Sequence, residues 1–241
     1  MVSIAGQSLE QLGGRRSVLA HQRRDHEELD GLLRRLRTTR GDEQDEVLSR
    51  IARLVFPHAY AEEVVLWPAV RAALPGGEEI TLRIEKEHQE VNEVFAAVDR
   101  NPSDDPRRAQ LLDRLHDLLQ ADLRDEEDVL LPRLQAALDP VSLRRLGRRW
   151  ELVQRTAPTR PHAVVSRRPP GNALSGPPLA LIDRLRDRLD RLARRSGGAT
   201  ASTSRAVSRA LARLAGGIEQ LPPLRVGQRP VTRAGRTDVE R

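Results

Sequence analysis

Six side chains in the first half of the chain could together hold a metal: His26, His58, Glu62, His88, Asp122 and Glu126. His58 and Glu62 are four residues apart, and so are Asp122 and Glu126. On a helix that spacing aims both side chains at one point. Imidazole nitrogens and carboxylate oxygens with no sulfur suit iron or manganese better than a structural zinc. The chain has no cysteine at all, which excludes disulfides, thiolate zinc sites, cysteine-held iron–sulfur clusters and Cys nucleophiles. Carboxylates can bridge two cations. Six protein ligands would also leave open positions on a pair of ions, so the set accommodates either two ions or one.

Helices must position these groups. Breakers near Thr38–Asp42, Pro75–Gly77 and Asn101–Pro106 divide the first part into four amphipathic segments: A over about 15–38, B over about 43–74, C over about 77–99 and D over about 105–138. The apolar stripe of A runs Leu19, His26, Leu29, Leu33, Leu36, and that of B runs Ile51, Leu54, Val55, His58, Glu62, Val65, Leu66. In C it is Ile84, His88, Val91, Phe95, Val98; in D it is Leu115, Leu118, Leu119, Asp122, Glu126, Val129, Leu130. Every stripe has ionisable residues in its middle. Counted from the loops at about 1.5 Å of rise per residue, all six lie at one height. Buried there without partners, each would cost several kcal/mol and the carboxylates would repel one another; a bound cation removes both penalties.

Composition agrees with helices. The 241 residues are 38% hydrophobic but only 2% aromatic, with 32% charged, and short connections between long helices predict an all-α, up-down-up-down four-helix bundle. The charge is split. Residues 1–140 carry 19 Lys or Arg against 28 Asp or Glu, whereas 141–241 carry 22 against 7. This predicts a metal-binding bundle over 1–140 and a basic extension over 141–241: a helix over Pro140–Gln154, a Pro-rich linker over Thr156–Pro178, a helix over 179–195, a short one about 204–215, and disorder from Leu221 to Arg241. No apolar run approaches the ~20 residues of a membrane span and Met1–Arg16 has no signal-peptide core, so a cytoplasmic protein without membrane contact is expected. The extension lacks a helix-turn-helix, a zinc finger or stacking aromatics. Asp183, Asp187 and Asp190 alternate with arginines as on a solvated, ion-paired helix face. Nucleic acid is therefore not expected; a protein partner, or docking of the basic segment on the acidic bundle, is.

Helices B and D share a repeat, Glu62-Glu63-Val64-Val65-Leu66-Trp67-Pro68 and Glu126-Glu127-Asp128-Val129-Leu130-Leu131-Pro132, and acid–His pairs Asp25-His26 and Glu87-His88 recur upstream. A–B and C–D thus read as two copies of one hairpin. At DHEELDGLL around His26, HAYAEEVVLWP around His58 and Glu62, EKEHQEV around His88 and ADLRDEEDVLLP around Asp122 and Glu126, the chain resembles the hemerythrin family in its HHE cation-binding branch. The resemblance covers about 15–138. It implies a non-haem di-iron centre, oxo- or carboxylate-bridged, that binds dioxygen or a related diatomic or peroxide ligand, or senses iron or oxidants. An oxidoreductase decomposing peroxide at the same site, or a structural bundle with an interacting tail, are the alternatives. At position 122 the family pattern has a His and this chain has Asp. Glu63 and Glu127 are expected to accept hydrogen bonds beside the ligands. His21 is expected on the solvated surface, His116 away from the metal, His162 in a loop, and Tyr60 and Trp67 as packing residues, with Pro68 kinking helix B beyond the site.

Overall fold

A computed structural model describes residues 2–101 and 105–227. Among them there is no strand, and no helix is long and apolar enough to cross a membrane. The bundle is built of four rods. The first is α1 (Val18–Thr38), capped by the Ser17 hydroxyl, which accepts from the Leu19 N–H. The second is α2 (Gly41–Ala61), a π turn π1 (Glu62–Leu66) and α3 (Trp67–Ala73); the third is α4 (Gly77–Arg100). The fourth repeats the second, as α5 (Pro106–Asp125), π2 (Glu126–Leu130) and α6 (Leu131–Ala137). Asp105 caps α5 and Asp139 caps α7 (Pro140–Thr156), each followed by proline at the first helical position, where no N–H is needed.

The seven-residue repeat thus becomes a repeated backbone irregularity rather than a simple kink. In each widened turn the N–H of the residue before proline bonds the carbonyl five residues back, Trp67 to Glu62 and Leu131 to Glu126. Pro68 and Pro132 lack an N–H and so cannot themselves continue the regular ladder. The wider turn brings both Glu62 and Glu63 into the interior. Single π turns of this kind are frequent where a helix must re-aim side chains at a functional site.

Two apolar clusters fill the bundle. One contains Leu19, Ala61, Leu66, Trp67, Ile84, Leu130 and Leu134; the other contains Leu29, Leu33, Ile51, Phe56, Val91, Phe95, Leu115 and Leu119. On each rod the six candidate ligands fall between the members of one cluster and those of the other, so the polar layer is sandwiched between two hydrophobic ones.

The basic extension is folded onto the bundle. Helix α7 lies against α1 and α2, and its Leu143, Leu146 and Trp150 join the first cluster. Gly147 makes that approach possible, because a Cβ there would stand 2.0 Å from the Arg16 carbonyl oxygen. Helices α8 (Gly171–Arg195) and α9 (Gly198–Glu219) form a hairpin and are both longer than the sequence predicts. Gly171–Pro178, expected in the linker, is helical in spite of Pro177 and Pro178, because tertiary contacts anchor its first turns. The Tyr60 hydroxyl donates to the Asn172 carbonyl, and Gly176 sits where a Cβ would collide with the Tyr60 oxygen. Pro222–Arg225 form a 3-10 turn at the start of the segment expected to be disordered; 228–241, the remainder of that expectation, lie outside the described residues.

The Asp183 and Asp187 side chains of α8 are buried, not solvated. The Asp183 carboxylate accepts from the backbone N–H groups of Thr159 and Arg160, and Asp187 accepts from the Thr159 hydroxyl and the Arg160 guanidinium. Leu181 and Leu185 face outward instead. His162 is no loop residue at the surface: its ring is buried between Glu219, 2.7 Å from Nδ1, and Asp183, 3.0 Å from Nε2. Burial opposes its charge, but the two carboxylates outweigh that and raise its pKa to about 9.

Two predictions follow from this packing. Gly147→Ala forces α7 off Arg16 and should cost about 2 kcal/mol, seen as a Tm lowered by roughly 4–8 °C. The raised pKa of His162 stabilises the fold fully below the unfolded value near pH 6.5, and the contribution is lost as pH rises through about 9. The stability difference between the native chain and His162→Gln, from denaturant titrations, should therefore reach up to about 3 kcal/mol at pH 6 and shrink toward pH 10. A difference independent of pH would contradict it.

Candidate metal centre

Each rod sends its polar residues into the same layer. His26 comes from α1, His58 from α2, Glu62 from π1, His88 from α4, Asp122 from α5 and Glu126 from π2. His26 Nε2 lies 3.3 Å from His58 Nε2 and 3.2 Å from Glu126 Oε2. His58 Nε2 is 3.3 Å from Glu62 Oε1, and His88 Nε2 is 3.4 Å from Glu62 Oε2. Two sets of three ligand atoms lie within 4.8 Å of one another: His26, His58 and Glu126, and Glu62, His88 and Glu126. Glu126 belongs to both. Asp122 stands at the margin, its Oδ2 3.9 Å from His88 Nε2, outside both sets.

The other nitrogen of every histidine is held by a further carboxylate. His26 Nδ1 is 3.0 Å from Glu127, His88 Nδ1 is 3.1 Å from Glu63, and His58 Nδ1 is 3.2 Å from Asp25. This fixes the ring orientation and leaves Nε2 turned inward, as outer carboxylates do for metal-binding imidazoles. Glu63 and Glu127 occupy this supporting position. The repeat explains the arrangement, since Glu63 and Glu127 hold the histidines of the opposite hairpin. Glu87, the counterpart of Asp25, meets no imidazole, because the residue opposite it is Asp122. Burial raises the Glu87 pKa and the Asp122 charge adds to it, and Glu87 Oε2 is buried without a hydrogen-bond partner among the described residues.

Electrostatics show what the layer demands. Burial opposes charge on all three imidazoles, yet Glu126 and Glu127 raise His26 to about 9, and Glu63, Asp122 and Glu62 raise His88 to about 10. His58 is raised well above its usual range by Glu62 and Asp25 against the same burial. Asp122 is pushed up to about 6 by burial and by Glu126, and Glu126 is pushed up by burial and by Glu62. Glu62 Oε2, Glu126 Oε1 and Asp122 Oδ1 are buried with no hydrogen-bond partner among the described residues. Acceptor atoms in such a position are what a cation satisfies, so the donor set fits a metal.

Several contributors lie beyond the six. Gln22 donates to Glu62 Oε1 at 2.9 Å. From α7, Trp150 packs edge-on against His58 with ring centroids 5.1 Å apart, and Gln154 donates to Asp25 at 2.8 Å. Asp25 was legible as half of an acid–His pair, but its partner is the histidine of the next rod rather than its neighbour. Trp150 and Gln154 carried no signal, because nothing in the local pattern of α7 says which surface it covers. His21 is buried, contrary to the expected surface position, with Nε2 3.3 Å from Glu151 Oε1, and burial lowers its pKa. His116 lies beside Asp117, away from the layer.

Residues 17–134 match the model of the hemerythrin HHE cation-binding domain. The chain is also 26% identical over 149 residues, 61% of its length, to an uncharacterized hemerythrin-like protein of Schizosaccharomyces pombe, covering 71% of that protein. No solved structure matches significantly. The four-rod architecture, the cation-ready layer at its middle and the family match agree: residues 17–134 are a hemerythrin HHE cation-binding domain.

Proposed function

We propose that the bundle binds a pair of iron ions and, through them, a small ligand such as dioxygen, nitric oxide or peroxide. The observation that carries this reading is the pair of three-atom donor sets joined at Glu126, each histidine braced by its own outer carboxylate. His26 and His58 would serve one ion, Glu62 and His88 the other, and Glu126 both. Iron bound there supplies a redox-active Lewis acid with open positions. The chain's own residues do the rest. Asp25, Glu63 and Glu127 orient the rings, and Leu29, Leu54, Val55, Leu119 and Leu123 line a cavity of about 20 Å³ beside them. That volume suits a ligand the size of a water molecule or a diatomic.

The native chain should take up close to two iron atoms, measured by metal analysis after loading and desalting. His58→Ala/Glu62→Ala removes a donor from each set and should abolish loading; Glu126→Ala should leave less than one ion. Full iron in either variant would mean the ions sit elsewhere. Because the metal ties four rods together, iron should also raise Tm, and an equally stable metal-free protein would favour a purely structural bundle.

Asp122 supports a sharper expectation. Asp122→His places an imidazole opposite Glu87, restoring the arrangement that Asp25 makes with His58. It should tighten binding of the more weakly held ion by about tenfold or more, and Glu87→Ala should remove most of that gain, by competition with a chromophoric chelator. No gain, or a gain indifferent to Glu87, would place both residues outside the site.

A further inference from the structure

Above Asp25 the extension and the bundle enclose a cleft of about 560 Å³, within the range of small-molecule sites. Its walls carry five guanidinium groups: Arg24 and Arg53 from the bundle, and Arg184, Arg188 and Arg191 from α8. The last three are spaced four and three residues apart and so form one row on the helix. Arg24 pairs with Asp25 and Arg53 with Glu46, whereas among the described residues Arg184, Arg188 and Arg191 have no carboxylate within ion-pair distance; Arg184 donates to the Arg155 carbonyl and Arg191 to the Asp187 carbonyl. Three acids line the same cleft, but two are occupied. Asp25 is taken up by Arg24, His58 and Gln154, and Asp187 by Thr159 and Arg160. Glu28 is left against three guanidinium groups that no carboxylate pairs.

We propose that this cleft binds a small phosphate-bearing anion. A row of guanidinium forks offers paired N–H donors that match phosphate oxygens, and a concave site of this volume matches a small molecule. Exposed arginines held near one another repel; an anion relieves the repulsion and is attracted more strongly in a cleft than on open surface. The cleft shares Asp25 and Leu54 with the metal cavity, so its occupant competes with Asp25 for Arg24 next to the carboxylate that braces His58. Anion and metal are therefore coupled. That coupling rests on the iron reading, whereas the cleft itself does not.

Calorimetric titration of the full chain, metal-free and iron-loaded, with inorganic pyrophosphate, a nucleoside diphosphate and a short DNA duplex tests this. Pyrophosphate or the nucleotide should bind one to one, and Arg188→Glu/Arg191→Glu should weaken binding at least tenfold. Tighter binding of the nucleotide would identify a nucleoside ligand, and equal binding a bare phosphate group. Both side chains are exposed, so the fold should survive; Arg188→Gln, with an expected loss of about threefold, checks this with a milder change. No one-to-one binding, binding unchanged in the variants, or duplex binding tighter than either small anion would overturn the proposal. The small-anion affinity should differ between metal-free and iron-loaded protein by threefold or more, since linkage is reciprocal. Equal affinities would overturn the coupling. A chain that fails to load iron yet binds pyrophosphate would refute the metal reading and leave the cleft intact.

Discussion

Three imidazoles and three carboxylates are packed into one layer between two hydrophobic clusters, and that layer sets the terms for everything around it. Charges buried at such a depth are costly unless each has a counter-charge or a hydrogen bond, and the carboxylates of the set repel one another. Within the layer the carboxylates raise the pKa values of the histidines against burial, and burial and mutual repulsion raise those of Asp122 and Glu126. The oxygens that still lack a hydrogen-bond partner belong to Glu62, Asp122 and Glu126, on the two π turns and one turn before the second. The unfavourable part of the packing is thus concentrated where a cation would cancel it.

The backbone is shaped to the same purpose. A regular helix would point Glu62 and Glu63 about 100° apart. The π turn instead lets one face the centre of the layer while the other reaches His88 on the neighbouring rod. The second hairpin repeats the device with Glu126 and Glu127 toward His26. The symmetry fails at one position, where Asp122 replaces an imidazole and leaves Glu87 facing another carboxylate. Two ions held in this cage would therefore be inequivalent, one with two histidines and one with a single histidine.

The positions of the four rods and the height of the polar layer could be read from the sequence because helical periodicity is a local signal. Thus His26, His58, Glu62, His88, Asp122 and Glu126 stand out by type within apolar stripes. The π turns were harder to see: the repeat and its prolines marked an irregularity, but its form depends on which carbonyls the surroundings satisfy. Least legible was the extension. The alternation of Asp183 and Asp187 with arginines is what a solvated helix shows, yet both are buried because residues 159–162 turn N–H groups and an imidazole toward Asp183, and the Thr159 hydroxyl and Arg160 guanidinium toward Asp187. The same tertiary dependence hid Trp150 and Gln154, which close the site from α7.

Whether Glu126 joins two ions in one layer is decided by X-ray absorption at the iron edge of the loaded protein. With Glu126 between two ions, the first shell should be mixed nitrogen and oxygen with no sulfur, with an iron scatterer within about 4 Å, as in paired metal sites. A first shell without an iron neighbour in fully loaded protein, or an iron neighbour that persists in Glu126→Ala, would contradict it.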